Sequence, residues 1–430
     1  MNKEMKKVLV ITYYWPPAGG PGVQRWLKFV RYLKEFNVEP IVYAPENPSY
    51  PIVDESFLDE IPDDITILKQ PIFEPYGIAS IFSKKKTKVI SKGIISSKWQ
   101  SPIEKFMLWV RGNFFIPDAR KFWIKPSVKY LQEFIVNENI DTIITTGPPH
   151  SIHLIGLQLK KLLNIQWIAD FRDPWTTIGY HSKLKLRKSS KAKHKILEGE
   201  VLNSADKIIV TSFTTKDEFY YITEKPIKVI TNGYDINNIG KVELDTKFTI
   251  SHIGSLLTGR NPQILWQVIA ELVNENSDFS NDFKLQFAGV ISKDVLKDIN
   301  NYKLNNYIDL LGYISHEETL KLQRSSQVLL LIEIDSDETK CIIPGKLFEY
   351  MAAERPILAI GPEGWDVAKI ISETNTGNCY TYDKKRELKN KIIELYDDYK
   401  SNNLKAQPIG LKKYSRKALT EELSKFILTD

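Results

Sequence analysis

Along almost all of its 430 residues the chain alternates short apolar runs with stretches of helical periodicity, and that alternation restricts the fold more than any other feature. Parallel strands must be joined by long crossovers, usually helical. The helices cover both sheet faces, so the strands read as continuous apolar runs. In the first half such runs span 7–13, 39–43, 142–145, 166–169, 207–211 and 228–230, and in the second half 248–253, 284–288, 308–311, 328–332 and 356–360. After the first run, Val23, Trp26, Leu27, Val30 and Leu33 repeat at three and four, the spacing of a helix laid on a sheet. A chain this long exceeds what one core supports. The predicted fold is therefore α/β with two Rossmann-like, doubly wound parallel-sheet domains, over 1–235 and 246–408. A helix within 409–430 is expected to return to the first domain. The turn-rich segment 231–240 reads as the hinge.

Residues 45–125 break the rhythm with prolines and read as an insertion, its basic and aromatic part at about 76–126. The formal net charge is +6, but residues 84–125 hold eleven Lys/Arg against Glu104 and Asp118, and residues 181–197 hold seven without an acid. Trp99, Phe106, Trp109, Phe114, Phe115, Phe122 and Trp123 are interleaved with the first cluster. Cations mixed with aromatic rings suit an anionic membrane surface, the partner expected for 84–125 and 181–197. The competing readings are a solvated insertion whose rings pack on the core, and nucleic-acid binding; no nucleic-acid partner is predicted. No apolar run reaches the roughly 18 to 20 residues of a membrane span, and Met1 to Lys7 leads straight into a strand, so a cytoplasmic location is expected, with peripheral contact on the inner face of the membrane. Cys341 and Cys379 lie far apart, without His or Cys at metal-ligand spacing.

The segment 342–353, Ile-Ile-Pro-Gly-Lys-Leu-Phe-Glu-Tyr-Met-Ala-Ala, opens a helix with Lys346 and Glu349 on one face. Helix amides and Lys346 suit a phosphate, and Glu349 suits ribose hydroxyls. Here the chain resembles the donor-binding segment of family 4 glycosyltransferases, which have the GT-B fold of two Rossmann-like domains facing a central cleft. Many members carry a second glutamate eight positions before the first. This chain has Cys341 there, so the resemblance is to relatives that use a Lys/Glu pair.

Three further sequence blocks carry the resemblance. After the first strand, 15–25 contains Gly19, Gly20 and Gly22 but no dinucleotide fingerprint; it is similar to the first glycine-rich loop of the family, which faces the donor. The pair Thr146-Gly147-Pro148-Pro149-His150-Ser151 and Asp170-Phe171-Arg172-Asp173-Pro174-Trp175 follows two strands, where open α/β sheets place ligands. It resembles segments of bacterial surface-polysaccharide enzymes, and His150 and Asp173 are the candidates to orient or deprotonate an acceptor hydroxyl. The block 251–262 holds Gly254 at a strand end and Arg260 before a helix, where a guanidinium grips diphosphate oxygens.

The resemblance implies transfer of a sugar, with retention, from a nucleoside diphosphate donor to a saccharide or lipid-linked acceptor, in cell-surface polysaccharide or glycolipid synthesis. The catalytic set is predicted as Arg260, Lys346, Asp173 and His150. Predicted substrate contacts are Gly19, Gly20, Gly22, Gly254, Arg260, Gly345, Lys346, Leu347 and Glu349. No metal cofactor is expected, because Arg260 and Lys346 meet the diphosphate charge; the Asp-x-Asp pattern at Asp335 and Asp337 is set aside on that ground. The alternatives are a nucleotide-sugar 2-epimerase of the same fold and a nucleotide-binding scaffold without turnover.

Overall fold

A computed structural model describes residues 5–75, 102–235, 240 and 242–429. The chain forms two compact units, one of Met1–Asn232 with Arg416–Asp430 and one of Gly233–Ser415. The expected insertion therefore falls in part, over 76–101, outside the described residues.

Unit 1 holds seven parallel strands: β1 (Lys6–Thr12), β2 (Val38–Pro45), β3 (Thr66–Gln70), β4 (Thr142–Gly147), β5 (Gln166–Phe171), β6 (Lys207–Val210) and β7 (Ile227–Val229). Their order is β3-β2-β1-β4-β5-β6-β7. Unit 2 holds six: β8 (Phe248–Ile253), β9 (Phe283–Ala288), β10 (Ile308–Gly312), β11 (Val328–Ile332), β12 (Ile357–Ile360) and β13 (Gly377–Tyr380), in the order β10-β9-β8-β11-β12-β13 and again parallel. Two doubly wound sheets are thus present. β3 and β13 lie outside the sequence expectation, and both are edge strands: β3 pairs only with β2 and β13 only with β12. Neither carries a run of apolar residues long enough to read as a strand, whereas the other two edge strands, β7 and β10, do.

In each sheet the chain steps outward twice and then returns to the other side of its first strand. The carboxyl ends of β1 and β4, and of β8 and β11, therefore flank topological switch points, where side chains on successive loops converge.

The helix Pro21–Leu33 follows β1, with proline at its first turn after Gly20 at φ 103°. It buries Trp26, Leu27, Val30 and Leu33 completely, as its spacing predicts. The last helix, Arg416–Leu428, packs on it through Leu419, Leu423 and Ile427 against Trp26, Phe29 and Leu33. Arg416 bonds Gln24, and Lys207 donates to the carbonyl of Phe426.

Candidate active site

At the β8/β11 switch point of unit 2, Gly254 ends β8 with φ 110°, and Gly289 ends β9 with φ 122°. Both conformations are open mainly to glycine. A Cβ on Gly289 would stand 2.7 Å from the Gly254 carbonyl oxygen, so the two backbones meet with no space for a side chain. Tyr350, buried in the core, clasps the same strand end. Its hydroxyl accepts from the Ile253 N–H at 3.0 Å and donates to the Ile253 carbonyl at 3.4 Å.

Lys346 begins the helix Lys346–Ala352 and carries its amine to this end of β8. Nζ lies 3.1 Å from the Ile253 carbonyl and 3.4 Å from His252 Nε2. No carboxylate lies within ion-pair distance of it among the described residues. Burial, with Arg260 nearby, brings its pKa down to about 7, opposed by Glu333 and Glu349. Burial, then Lys346, holds His252 well below the ordinary histidine range.

Arg260 meets Glu333 through two parallel bonds, Nε to Oε1 and Nη2 to Oε2, each 2.9 Å. Glu333 directly follows β11 and is 1% exposed, so the guanidinium is anchored from below. Sequence reading expected Arg260 to grip diphosphate oxygens. Here its charge is shared with a carboxylate, and Nη1 remains for a ligand. Glu349 accepts a bond from Gln323 Nε2 at 3.1 Å at one oxygen, Oε2.

Leu347 corrects the sequence expectation. Its side chain is fully buried and its N–H bonds the Pro344 carbonyl at 3.0 Å, so neither is open to a ligand. The helical period explains this, because positions 346 and 349 share the outer face while 347 and 350 turn to the core. The Phe348 N–H is likewise taken, by the Gly345 carbonyl.

In unit 1 the glycine loop packs closely. The Gly19 N–H donates to the Ile52 carbonyl at 3.0 Å, so that amide is not open as expected. A Cβ on Gly22 would lie 2.1 Å from Arg172 Nη1. Arg172 follows β5, donates to the Gly147 and Pro148 carbonyls, and lies over the ring of Tyr14. His150 follows β4. Its ring is buried and stacked flat on Trp175, centroids 4.7 Å apart, with neither ring nitrogen bonded. Burial, then His153, holds its pKa well below the ordinary value. Burial raises Asp173, opposed by Arg172. Asp170 instead is the core anchor: it takes Arg25, the Trp26 indole and the Thr146 hydroxyl.

Structure therefore gathers Gly254, Arg260, Lys346 and Glu349 in unit 2, and His150, Asp173 and Gly22 around Arg172 in unit 1. Sequence reading missed His252, Glu333, Gln323 and Arg172 as members of these groups. For Glu333 a signal existed, since an acid directly ends a five-residue apolar strand. Among the described residues no group of three or more His, Cys, Asp or Glu is placed to hold a metal ion.

Residues 94–238 match the family model described as Glycosyltransferase Family 4, and residues 247–398 match that of Glycosyl transferases group 1. The chain belongs to the family 4 glycosyltransferases. The first match runs through unit 1 to just past its boundary with unit 2 and the second lies within unit 2, and the enzyme keeps the family's two-sheet architecture. No curated protein shows detectable sequence similarity to it. Among solved structures, a glycosyltransferase from Rickettsia africae aligns over 100% of both chains at 15% identity, with a TM-score of 0.60. S. aureus TarM, solved with UDP, aligns over 99% of this chain and 100% of its own at 14% identity and TM-score 0.58. A protein from Listeria monocytogenes described as a UDP-N-acetylglucosamine 2-epimerase aligns over 99% and 98% at 14% identity and TM-score 0.55. Likeness at these identities speaks for the fold alone.

Proposed function

We propose that this glycosyltransferase binds a nucleoside diphosphate sugar at unit 2 and transfers the sugar, with retention, to a saccharide or lipid-linked acceptor taken by unit 1, in cell-surface polysaccharide or glycolipid synthesis. One observation carries the reading. Lys346 Nζ, without a carboxylate partner among the described residues, the anchored guanidinium of Arg260 and the half-buried carboxylate of Glu349 stand around the carboxyl end of β8.

Fixed cations stabilise the charge that develops on a departing diphosphate, and they need no reorganisation when it forms. Lys346 and Arg260 do this, and Glu349 holds the ribose hydroxyls through its free oxygen. No step requires a resident metal, so EDTA is expected to leave turnover unchanged. Lys346→Ala and Glu349→Ala should each weaken UDP binding and lower turnover about tenfold or more, the worth of one charge-assisted contact. Wild-type behaviour in both variants would remove the assignment.

The epimerase alternative rests on the fold likeness to the Listeria protein. Incubating UDP-N-acetylglucosamine with the enzyme and no acceptor decides it, because only an epimerase would return the 2-epimer.

An anionic membrane is the proposed surface for the acceptor side. The two basic stretches, far apart in sequence, are joined at Asn113, which accepts from the Arg187 N–H and donates to the Lys185 carbonyl. The Arg187 guanidinium lies 4.5 Å over Trp109. Phe106 and Phe114 on the helix Pro102–Phe114 are 63% and 57% exposed, beside exposed Lys105, Lys183, Lys185 and Lys188. No described helix is long and apolar enough to cross a membrane. Sedimentation with phosphatidylglycerol vesicles should exceed that with neutral vesicles and fall with salt; equal partition would remove the proposal.

A further inference from the structure

The Leu330 carbonyl can only accept a hydrogen bond, and it lies 3.1 Å from His252 Nδ1. The proton of the neutral ring is thus on Nδ1 and the lone pair on Nε2. That lone pair faces Lys346 Nζ at 3.4 Å, with the Ile253 carbonyl as the second acceptor at 3.1 Å. Two neutral acceptors and no carboxylate make a weak home for an ammonium, and burial adds to its cost. The surrounding charges do not offset this. Arg260, from the loop after β8, is a cation. Glu333, at the end of β11, is already committed to Arg260, and Glu349, on the same helix as Lys346, is held by Gln323. Tyr350 and Tyr382 are kept protonated by burial, with their hydroxyls bonded at Ile253 and at the Glu333 carbonyl.

We propose that His252 positions Lys346 for the donor, and that Lys346 takes up a proton from solvent when a nucleoside diphosphate binds. This rests on the nucleotide reading of the site. The neutral amine gains the proton at Nζ, the new N–H is directed at phosphate oxygen, and the buffer acid is left as its base. The arriving polyanion supplies the counter-charge that the empty site lacks, so binding and protonation are thermodynamically linked. A lysine poised near pH 7 is mostly neutral at pH 8, while the terminal phosphate of a nucleoside diphosphate has already lost its proton.

The test is titration calorimetry of the full chain with UDP, GDP and ADP at about pH 8, in buffers of different ionisation enthalpy. The dependence of the binding heat on buffer should report net uptake of roughly half to one proton per nucleotide at pH 8, and less near pH 7. Binding with no uptake overturns this inference and leaves the donor site standing. Failure of all three nucleotides to bind overturns both. Lys346→Arg, whose guanidinium stays charged, should bind without uptake; undiminished uptake in that variant would place the proton elsewhere and end the proposal. His252→Leu should weaken nucleotide binding about tenfold, the worth of one bond to a charged group. His252→Gln, whose amide can serve both Leu330 and Lys346, should restore it to within about threefold. Equal losses in the two variants would mean a packing role only and overturn the assignment to His252.

Discussion

Glu333 grips Arg260 through two parallel hydrogen bonds of 2.9 Å from a position 73 residues away, and it does so from almost complete burial while the arginine side chain stays one third exposed. A paired guanidinium held this way is aimed as well as charged. Glu333→Gln keeps the size but loses one acceptor and the charge. Steady-state kinetics should show kcat/KM lowered about 10- to 100-fold, the equivalent of roughly 1.5 to 3 kcal/mol. Unaltered kinetics would show that the pair does not orient Arg260 for the reaction.

Gly254→Ala tests the backbone of the same site. With φ at 110°, an alanine there is strained whatever the space around it, at a cost of about 1 to 3 kcal/mol. UDP affinity and the thermal midpoint of unit 2 should both fall. A variant as stable as the parent, with unchanged affinity, would contradict the conformation described.

Unit 1 is expected to weaken in mild acid. His150, His153, His181 and His194 are all buried, and each has a ring nitrogen without a partner. Burial brings His153 down to about 3 and His181 and His194 to about 4, with His150 also well below its ordinary value. Unfolding restores them to about 6.5, so the unfolded chain binds more protons and stability rises with pH. Stability is therefore full above about pH 7 and is lost as pH falls through 6.5 toward 4. Between pH 7.5 and 5.5 each neutral buried histidine costs about 1.4 kcal/mol. Guanidinium unfolding at those two pH values should show a clear drop in midpoint for the first transition; equal midpoints would exclude the mechanism.

The terminal helix stabilises unit 1. Leu423 is fully buried against the helix Pro21–Leu33. Leu423→Ala should destabilise unit 1 by about 2 to 5 kcal/mol through the cavity it leaves. UDP binding at unit 2 should be unchanged at temperatures where the variant remains folded. A loss of nucleotide affinity without a loss of stability would reverse this assignment.

Sequence alone determined the fold class and the eleven strands that read as apolar runs, and it pointed to the loops of the candidate site. A strand buried on both faces must be apolar throughout, and a loop that meets a ligand needs glycine, a cation or an acid in view. Strands β3 and β13 escaped because their few apolar residues form no run long enough to read, unlike those of the equally marginal edge strands β7 and β10. Only tertiary structure decided which partners the site residues keep. Lys346 meets His252 from 94 positions away, Glu333 is a clamp on Arg260, and Leu347 faces the core. Parallel crossovers bring distant strand ends side by side, so contacts at a switch point are fixed by strand order. No local spacing in the chain encodes that order.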